Sequence, residues 1–491
     1  MTDPTQLPRW LRVIERYGNA LPHPTLLFVW LCLLLLPLTL LLSWMNISVI
    51  HPVTQDAATV RSLISAEGIR YQLTSVVSNF TGFAPLGVVL VAMLGIGIAE
   101  QSGLLAGCLQ TLVRRTPPKL LTPMVAIAGV LSSIAVDSGY VVLIPLAGLL
   151  FAQAGRSPLL GIAVAFAAVS GGFSANLFIG PVDALLAGLS SEAAHIVDPQ
   201  RNVSAAGNYW FIIASTFLVA ALVSLVTAFM SARTPPASSA EKDAQPANAG
   251  FGKYTVSALF VFILVVLALS LPDQAPLRDP ESGSLLAGPF MRGIVVLVAL
   301  GFAVTGIGYG YDSGRFRSAT DIIDAMENTM KSLSGYLVLM FFAAQFVAWF
   351  NWSGMGLVLA IKGAAWLGTL GMSDAVTLVL LVLFTGMINL MIGSASAKWS
   401  MMAPIFVPML MLGGISPEAA QAAFRVGDSS TNIITPLMPY FALVLGFARR
   451  YQPDTGIGNL LALMLPYSLT LLLGWSLFLF VWVAAGLPLG P

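Results

Sequence analysis

The chain is a succession of long apolar stretches, and this constrains its fold more than any other feature. A helix needs about 20 mostly apolar residues to cross the hydrocarbon of a bilayer. Such stretches fall at about 26–44, 83–99, 121–136, 139–154, 159–190, 208–230, 254–271, 291–310, 336–350, 355–368, 375–393, 399–413, 417–447 and 459–486. Of the 491 residues 57% are hydrophobic and 9% charged, against roughly 45–50% and about 25% in soluble domains. With 23 Lys and Arg and 22 Asp and Glu, the chain has too few charges for a soluble enzyme's surface, and its net charge of +1 is not the basic excess of a nucleic-acid binder. Cys32 and Cys108 cannot build a disulfide framework, and His23, His51 and His195 have no metal-ligand spacing. The expectation is an all-α polytopic membrane protein.

Several stretches are about 14–17 residues long, too short to span with ease. Short paired segments read as re-entrant hairpins, which enter partway and return. Orientation follows from the positive charges of the loops. With the N-terminus and its Arg9, Arg12 and Arg16 in the cytoplasm, 15 of the 23 Lys and Arg fall on that side and six outside, leaving Lys398 and Arg425 at membrane depth. This balance requires hairpin 121–154 to enter from the cytoplasm and hairpin 375–413 from outside. The polar segment 231–253, with Pro235, Pro236, Ser238 and Ser239, reads as a cytoplasmic linker. Asp321, Asp324, Glu327 and Lys331 at helical spacing suggest a surface helix within 313–334. The partition is then 1–80 (a spanning helix and outer loop), 81–230 (repeat one), the linker, 254–334 (connecting helices), 335–450 (repeat two) and 451–491 (a last spanning helix).

The repeats are visible as long-range self-similarity. Glu100-Gln-Ser-Gly-Leu-Leu-Ala-Gly107 ends one membrane helix, and Phe350-Asn-Trp-Ser-Gly-Met-Gly356 ends another in the same way. Tyr140, Pro145, Gly155 and Pro158 parallel Trp399, Pro404, Gly414 and Pro417. Ser174-Ala-Asn176 and Pro181 parallel Ser430-Thr-Asn432 and Pro436. The order is kept while the offset drifts from 251 to 259 and back to about 255. Because the hairpins enter from opposite faces, the repeats are inverted, and inverted repeats with broken helices at mid-membrane characterise secondary transporters.

Each repeat offers a hairpin tip and an interrupted helix. The tips are Asp137-Ser-Gly139 and Ser394-Ala-Ser396-Ala-Lys398-Trp399, the latter preceded by Asn389. The breaks are 171–176, with Asp183 beyond, and 427–432. Glycine and proline free the backbone. Its carbonyls and the oxygens of residues such as Ser174 and Ser396 can then replace the water shell of Na⁺, while half-helix N-termini attract an anion. Asn176 and Asn432 occupy matching places in the two breaks. An ionisable residue at membrane depth costs about 2.5–3.5 kcal/mol on insertion scales, and six occur here: Glu100, Asp137, Asp183, Lys398, Arg425 and Asp428. Glu100 reads as a solvated helix end. Arg425 and Asp428, three apart, can share a helix face and neutralise each other. Trp349, Trp352 and Trp366 read as interface anchors, Pro417 as a helix start, and Glu192, His195 and Asp198 as an outer loop without evident role.

At these residues, and from Phe80-Thr-Gly-Phe-Ala-Pro-Leu-Gly87 through Gly427-Asp-Ser-Ser-Thr-Asn432 to Pro436 and Pro439, the chain resembles the AbgT family of p-aminobenzoyl-glutamate transporters. The resemblance spans nearly the whole length. It implies a bowl-shaped homodimer in the bacterial inner membrane, with nine spanning helices and two re-entrant hairpins per protomer. It also implies a sodium- or proton-linked carrier, with export of sulfonamide antimetabolites known for members. Trp399, Pro417, Arg425 and Asp428 become substrate-pathway positions, and Asn389, Asp428 and the hairpin serines cation ligands. Either Asp137 or Asp183 is the functional acid of repeat one. Arg425, Lys398 and half-helix N-termini suit the carboxylates of such a substrate, Trp399 its ring. Rival readings are a sodium-coupled dicarboxylate or citrate symporter and an ion channel. An intramembrane enzyme lacks a Ser–His or His–Glu constellation at depth, and no P-loop supports ATP hydrolysis.

Overall fold

A computed structural model describes residues 24–50, 57–114, 116–134, 139–231, 251–285, 288–435, 438 and 440–491. Most of the expected linker, Asp137, Pro436 and Pro439 lie outside these residues. In chain order the helices are α1 (Pro24–Trp44), α2 (Ala66–Thr81), α3 (Ala84–Ser102), α4 (Leu104–Arg114), α5 (Leu121–Leu131), α6 (Ile144–Gln153), α7 (Pro158–Gly171), α8 (Pro181–Ala194), α9 (Tyr209–Ser231) and α10 (Lys253–Ser270). They continue with α11 (Ile294–Asp312), α12 (Ala319–Ser332), α13 (Ser334–Trp352), α14 (Met355–Thr369), α15 (Asp374–Asn389), α16 (Ala395–Leu412), α17 (Pro417–Thr431), α18 (Phe441–Tyr451) and α19 (Ile457–Ala484). Among the described residues, eight helical segments are long and apolar enough to cross a membrane, or up to ten if each of two sharply bent pairs is one span. The chain is a polytopic helical membrane protein.

Two features depart from expectation. A small antiparallel ribbon pairs β1 (Ser48–Ile50) with β2 (Ala57–Thr59), Val49 opposite Ala58. The outer loop expected up to residue 80 is largely α2, started by Ser65, whose hydroxyl accepts from Gly68 N at 3.0 Å. Its many Ser, Thr, Asn and Gln residues hide it from an apolar-stretch reading. With α3 it makes one 37-residue segment, Ala66–Ser102. The surface helix is present as α12, where Ser318 and Asp321 form a reciprocal cap.

The repeat is built into local geometry. α3 and α13 both end in Ser-Gly. Ser102 Oγ donates to Ala99 O and accepts from Leu104 N, and Ser353 Oγ does the same with Phe350 O and Met355 N. Gly103 and Gly354 follow at φ +84° and +72°, the left-handed region that glycine enters without penalty. α6 and α16 end alike: Arg156 N bonds Phe151 O and Ile415 N bonds Leu410 O, around Gly155 and Gly414 at positive φ. Pro158 and Pro417 then open α7 and α17. α7 packs against both α5 and α6, and α17 against both α15 and α16. Each central helix is thus held between the two arms of its own hairpin.

α7 and α17 are the most enclosed helices: every residue from Leu160 to Gly171, and from Ala419 to Thr431, is buried. α10 lies at the other extreme, with most side chains exposed. Gly427 is helical and does not break α17. A Cβ there would stand 2.3 Å from Val382 O, so this glycine lets α17 and α15 approach closely, as small residues do in membrane interfaces. The second break therefore begins at Asn432, five residues later than the sequence suggested.

Candidate functional site

α7 stops at Gly171, the chain runs non-helically through 172–180, and α8 restarts at Pro181. α17 passes into a single tight turn, Asn432–Ile434, before α18. The two breaks are held in the same way. Asn176 Nδ2 donates to Ser133 Oγ at 2.7 Å, and Asn432 Oδ1 accepts from Asn389 Nδ2 at 2.9 Å. Ser133 and Asn389 each end the first arm of their hairpin, so the two asparagines do equivalent work. The breaks also interlock: Ser174 N donates to Ser429 Oγ at 3.1 Å, and Asn432 Nδ2 reaches Ser170 O at 3.5 Å.

Four buried charges converge here as two pairs. Arg425 Nη2 donates to Asp183 Oδ1 at 2.5 Å, and Nη1 to Ser174 O at 3.3 Å. Lys398 Nζ contacts Asp428 Oδ1 and Asn389 Oδ1. Arg425 and Asp428 do not pair with each other, contrary to expectation. Each finds an opposite charge on another element, and two neutral pairs leave no uncompensated buried ion. The Arg425–Asp183 pair joins the repeats, whereas Lys398–Asp428 lies within repeat two. Asp183 also starts α8, its Oδ2 accepting from Gly180 N at 2.6 Å. Asn389 Nδ2 further reaches Asp428 O and Thr431 Oγ1 at 2.7 and 2.8 Å.

Trp399 is fully buried rather than free at a hairpin tip. Its Nε1 donates to Ser190 Oγ at 3.0 Å, Ser190 Oγ donates to Gln421 Oε1 at 2.8 Å, and the indole lies 4.5 Å from the Phe424 ring. Beside the breaks, Tyr140 and Tyr440 stack at 4.2 Å with 5° between planes, and Ser170 Oγ donates to Met438 Sδ at 3.2 Å. A small polar cavity is bounded by Ser133, Ser174, Asn176, Asp183 and Arg425. Asp428 Oδ2, Thr385 Oγ1 and Arg425 Nε have no hydrogen-bond partner among the described residues, although buried polar groups are normally satisfied. The oxygens of Asp428, Asn389, Thr385 and Thr431 suit a hard cation, but the Lys398 ammonium already stands against two of them.

Of the residues picked from sequence, Asp183, Arg425, Ser174 and Asn176 share one cluster, and Lys398, Asn389, Asp428 and Asn432 a second. Ser396 lies on the first turn of α16, bonded to Ser394. Pro417 is the first residue of α17, eight residues and about 12 Å along the helix from Arg425. Ser133, Ser190 and Gln421 escaped attention, while Thr431 was named only as part of the second break. Ser190 is seven residues after Asp183, the same face two turns on, a spacing that could have found it. Glu192, assigned to a loop, is in the last turn of α8.

A sequence profile described as "AbgT putative transporter family" matches residues 9–491. The chain is 37% identical over 483 residues to the p-aminobenzoyl-glutamate transport protein of Escherichia coli K12, covering 97% of this chain and 95% of that one. Its fold is similar to the crystal structure of the YdaH transporter of Alcanivorax borkumensis, whose topology is described as unusual: TM-score 0.92, 64% identity, 96% of this chain and 100% of that one. It is also similar to MtrF of Neisseria gonorrhoeae, described in terms of a class of antimetabolite efflux pumps: TM-score 0.90, 43% identity, 96% and 97% coverage. These relatives are transport proteins, not enzymes, and with one profile covering nearly the whole length the chain belongs to the AbgT transporter family.

Proposed function

We propose that the chain is an ion-coupled secondary transporter of p-aminobenzoyl-glutamate-type aromatic dicarboxylates, working in the bacterial inner membrane as a homodimer with a cytoplasmic N-terminus. The observation that carries this reading is the Arg425–Asp183 pair, which ties α17 of repeat two to the break between α7 and α8 in repeat one. A substrate carboxylate takes the place of Asp183 on the Arg425 fork, a bidentate geometry that a guanidinium favours. Trp399 on α16 and Phe424 on α17, the residue before Arg425, supply an aromatic surface for the p-aminobenzoyl ring. Releasing Asp183 loosens the tie between repeats, so substrate binding and the rearrangement of alternating access become one event. The second pair serves the coupling ion. Withdrawal of the Lys398 ammonium exposes Asp428 and Asn389 oxygens to Na⁺ or a proton, and one charge crossing the membrane gains about 2.3 kcal/mol per 100 mV. The name of the Escherichia coli relative supports this substrate class. The description of MtrF supports a role in exporting antimetabolites, and sulfonamides, as analogues of the p-aminobenzoyl group, are the candidates.

The test is counterflow in proteoliposomes with labelled p-aminobenzoyl-glutamate, imposing Na⁺ and pH gradients separately. Exchange with p-aminobenzoyl-glutamate but not succinate is expected, driven by one of the two gradients. Preference for succinate would favour a dicarboxylate symporter, and currents far above carrier turnover a channel.

A further inference from the structure

A second cavity lies well away from the paired charges, between α2, α13 and the end of α8. It holds about 420 Å³, within the range of small-molecule sites. At one end Arg61 caps an aromatic wall: its guanidinium carbon is 4.4 Å from the Trp352 ring centre, and Trp352 stacks on Tyr71 at 4.9 Å and 13°. Arg61 Nη2 is anchored on Trp352 O at 2.5 Å. Its other ionic contact, to Glu67 at 3.6 Å, is between exposed groups and worth little. Tyr71 and Gly82 both line the cleft and lie eleven residues apart along α2 and its end, about 16 Å on helix geometry. Glu192 lines the far end, where its Oε1 accepts from Ala84 N at 3.3 Å. Asn79, held by Gln345 Oε1 at 3.0 Å, stands between. The cleft thus runs from a cation on an aromatic platform to a carboxylate.

We infer that this cleft is a first binding station for an aromatic acid carrying an N–H donor at its opposite end: Arg61 takes the carboxylate, Tyr71, backed by Trp352, stacks on the ring, and Glu192 accepts from the N–H group. The inference rests on the proposed substrate class and names a second place where that substrate is held. α8 connects the two places. Glu192 is two residues beyond Ser190, which holds Trp399, and nine beyond Asp183, which holds Arg425. Along α8 the cleft and the ion pair are about 14 Å apart. α8 is held firmly on α3, since a Cβ at Gly188 would meet Pro85 N at 3.0 Å.

The experiment measures p-aminobenzoyl-glutamate transport by the full chain in proteoliposomes, for wild type, Arg61→Gln, Trp352→Phe, Trp352→Leu and Glu192→Gln. Arg61→Gln and Trp352→Leu should each raise the half-saturating concentration about tenfold, more than they change the saturating rate, with Trp352→Phe in between. Glu192→Gln should weaken transport of p-aminobenzoyl-glutamate more than that of benzoyl-glutamate, which lacks the amine. If the wild type transports and half-saturation is unchanged in the variants, or only the saturating rate falls, the cleft is not a binding station. If the wild type carries no p-aminobenzoyl-glutamate, the proposed function fails instead. The cleft is then judged by binding in nanodiscs: p-aminobenzoate should quench tryptophan fluorescence more in wild type than in Trp352→Phe, and equal quenching would overturn it.

Discussion

Replacing Asp183 by leucine strands Arg425. The guanidinium is 2% exposed. Its remaining bond is to Ser174 O at 3.3 Å, and its Nε has no partner among the described residues. Removing one member of a buried ion pair costs about 3–5 kcal/mol, because the other charge stays buried and uncompensated. The lost acceptor at the start of α8, now used by Gly180 N, adds about 1 kcal/mol. Asp183→Leu should therefore destabilise by about 4–6 kcal/mol. The double variant Asp183→Leu, Arg425→Met removes both charges and should recover most of the ion-pair term, leaving chiefly the cap. The assay is a double-mutant cycle on reversible unfolding in mixed micelles of detergent and SDS. A favourable coupling of at least 2 kcal/mol is expected, well above the scatter of independent sites. Coupling under 0.5 kcal/mol would refute the reasoning, since Arg425 would then be indifferent to Asp183. In transport, Asp183→Asn keeps an acceptor for the cap but removes the charge, and p-aminobenzoyl-glutamate exchange should fall at least a hundredfold while the protein still inserts.

Other expectations follow from single contacts. Gly427→Ala forces a methyl group to within 2.3 Å of Val382 O, and overpacking of this kind costs about 1–3 kcal/mol; thermal unfolding in detergent should show a clear drop, and wild-type stability would mean α15 and α17 can separate freely. Asp428→Asn leaves the buried Lys398 ammonium without its counter-charge; exchange should lose its dependence on the driving ion, and an unaltered Na⁺ or pH dependence would remove this pair from coupling. Trp399→Phe keeps the contact with Phe424 but loses the bond to Ser190; substrate affinity should weaken severalfold, and a wild-type value would count against ring recognition there. Asp321 accepts from the N–H groups of Arg317 and Ser318, which hold its carboxyl below the usual carboxylate range. A lowered carboxyl stabilises above its ordinary titration and is lost as pH falls through the folded value. Amide protection at the start of α12 should therefore persist at neutral pH and fade only in acid, and fading near pH 6 would contradict it.

The sequence alone determined that this chain lives in a bilayer, because too few charges are available to give so many apolar residues a wet surface. It also determined the repeat, since local turn chemistry is written in neighbouring residues: Ser-Gly at the ends of α3 and α13, and Gly, one intervening residue, then Ser-Pro between α6 and α7 and between α16 and α17. The candidate positions Asn176, Asp183, Asn389, Lys398, Arg425, Asp428 and Asn432 were legible as polar residues where a membrane helix pays for them. Which of them meet was decided only in three dimensions. Helical spacing favoured Arg425 with Asp428, yet each is matched by a charge far away in sequence, Asp183 and Lys398. Gly427 read as a helix breaker until its closeness to Val382 gave it a packing role. α2 escaped because its polar side chains are satisfied by α13 and by its own backbone, as with Asn79 on Gln345 and Ser75 on Tyr71 O. Local periodicity fixes where a helix starts and which face is apolar. The partner of a buried charge depends on which distant helix arrives beside it, and that is a property of the assembled fold.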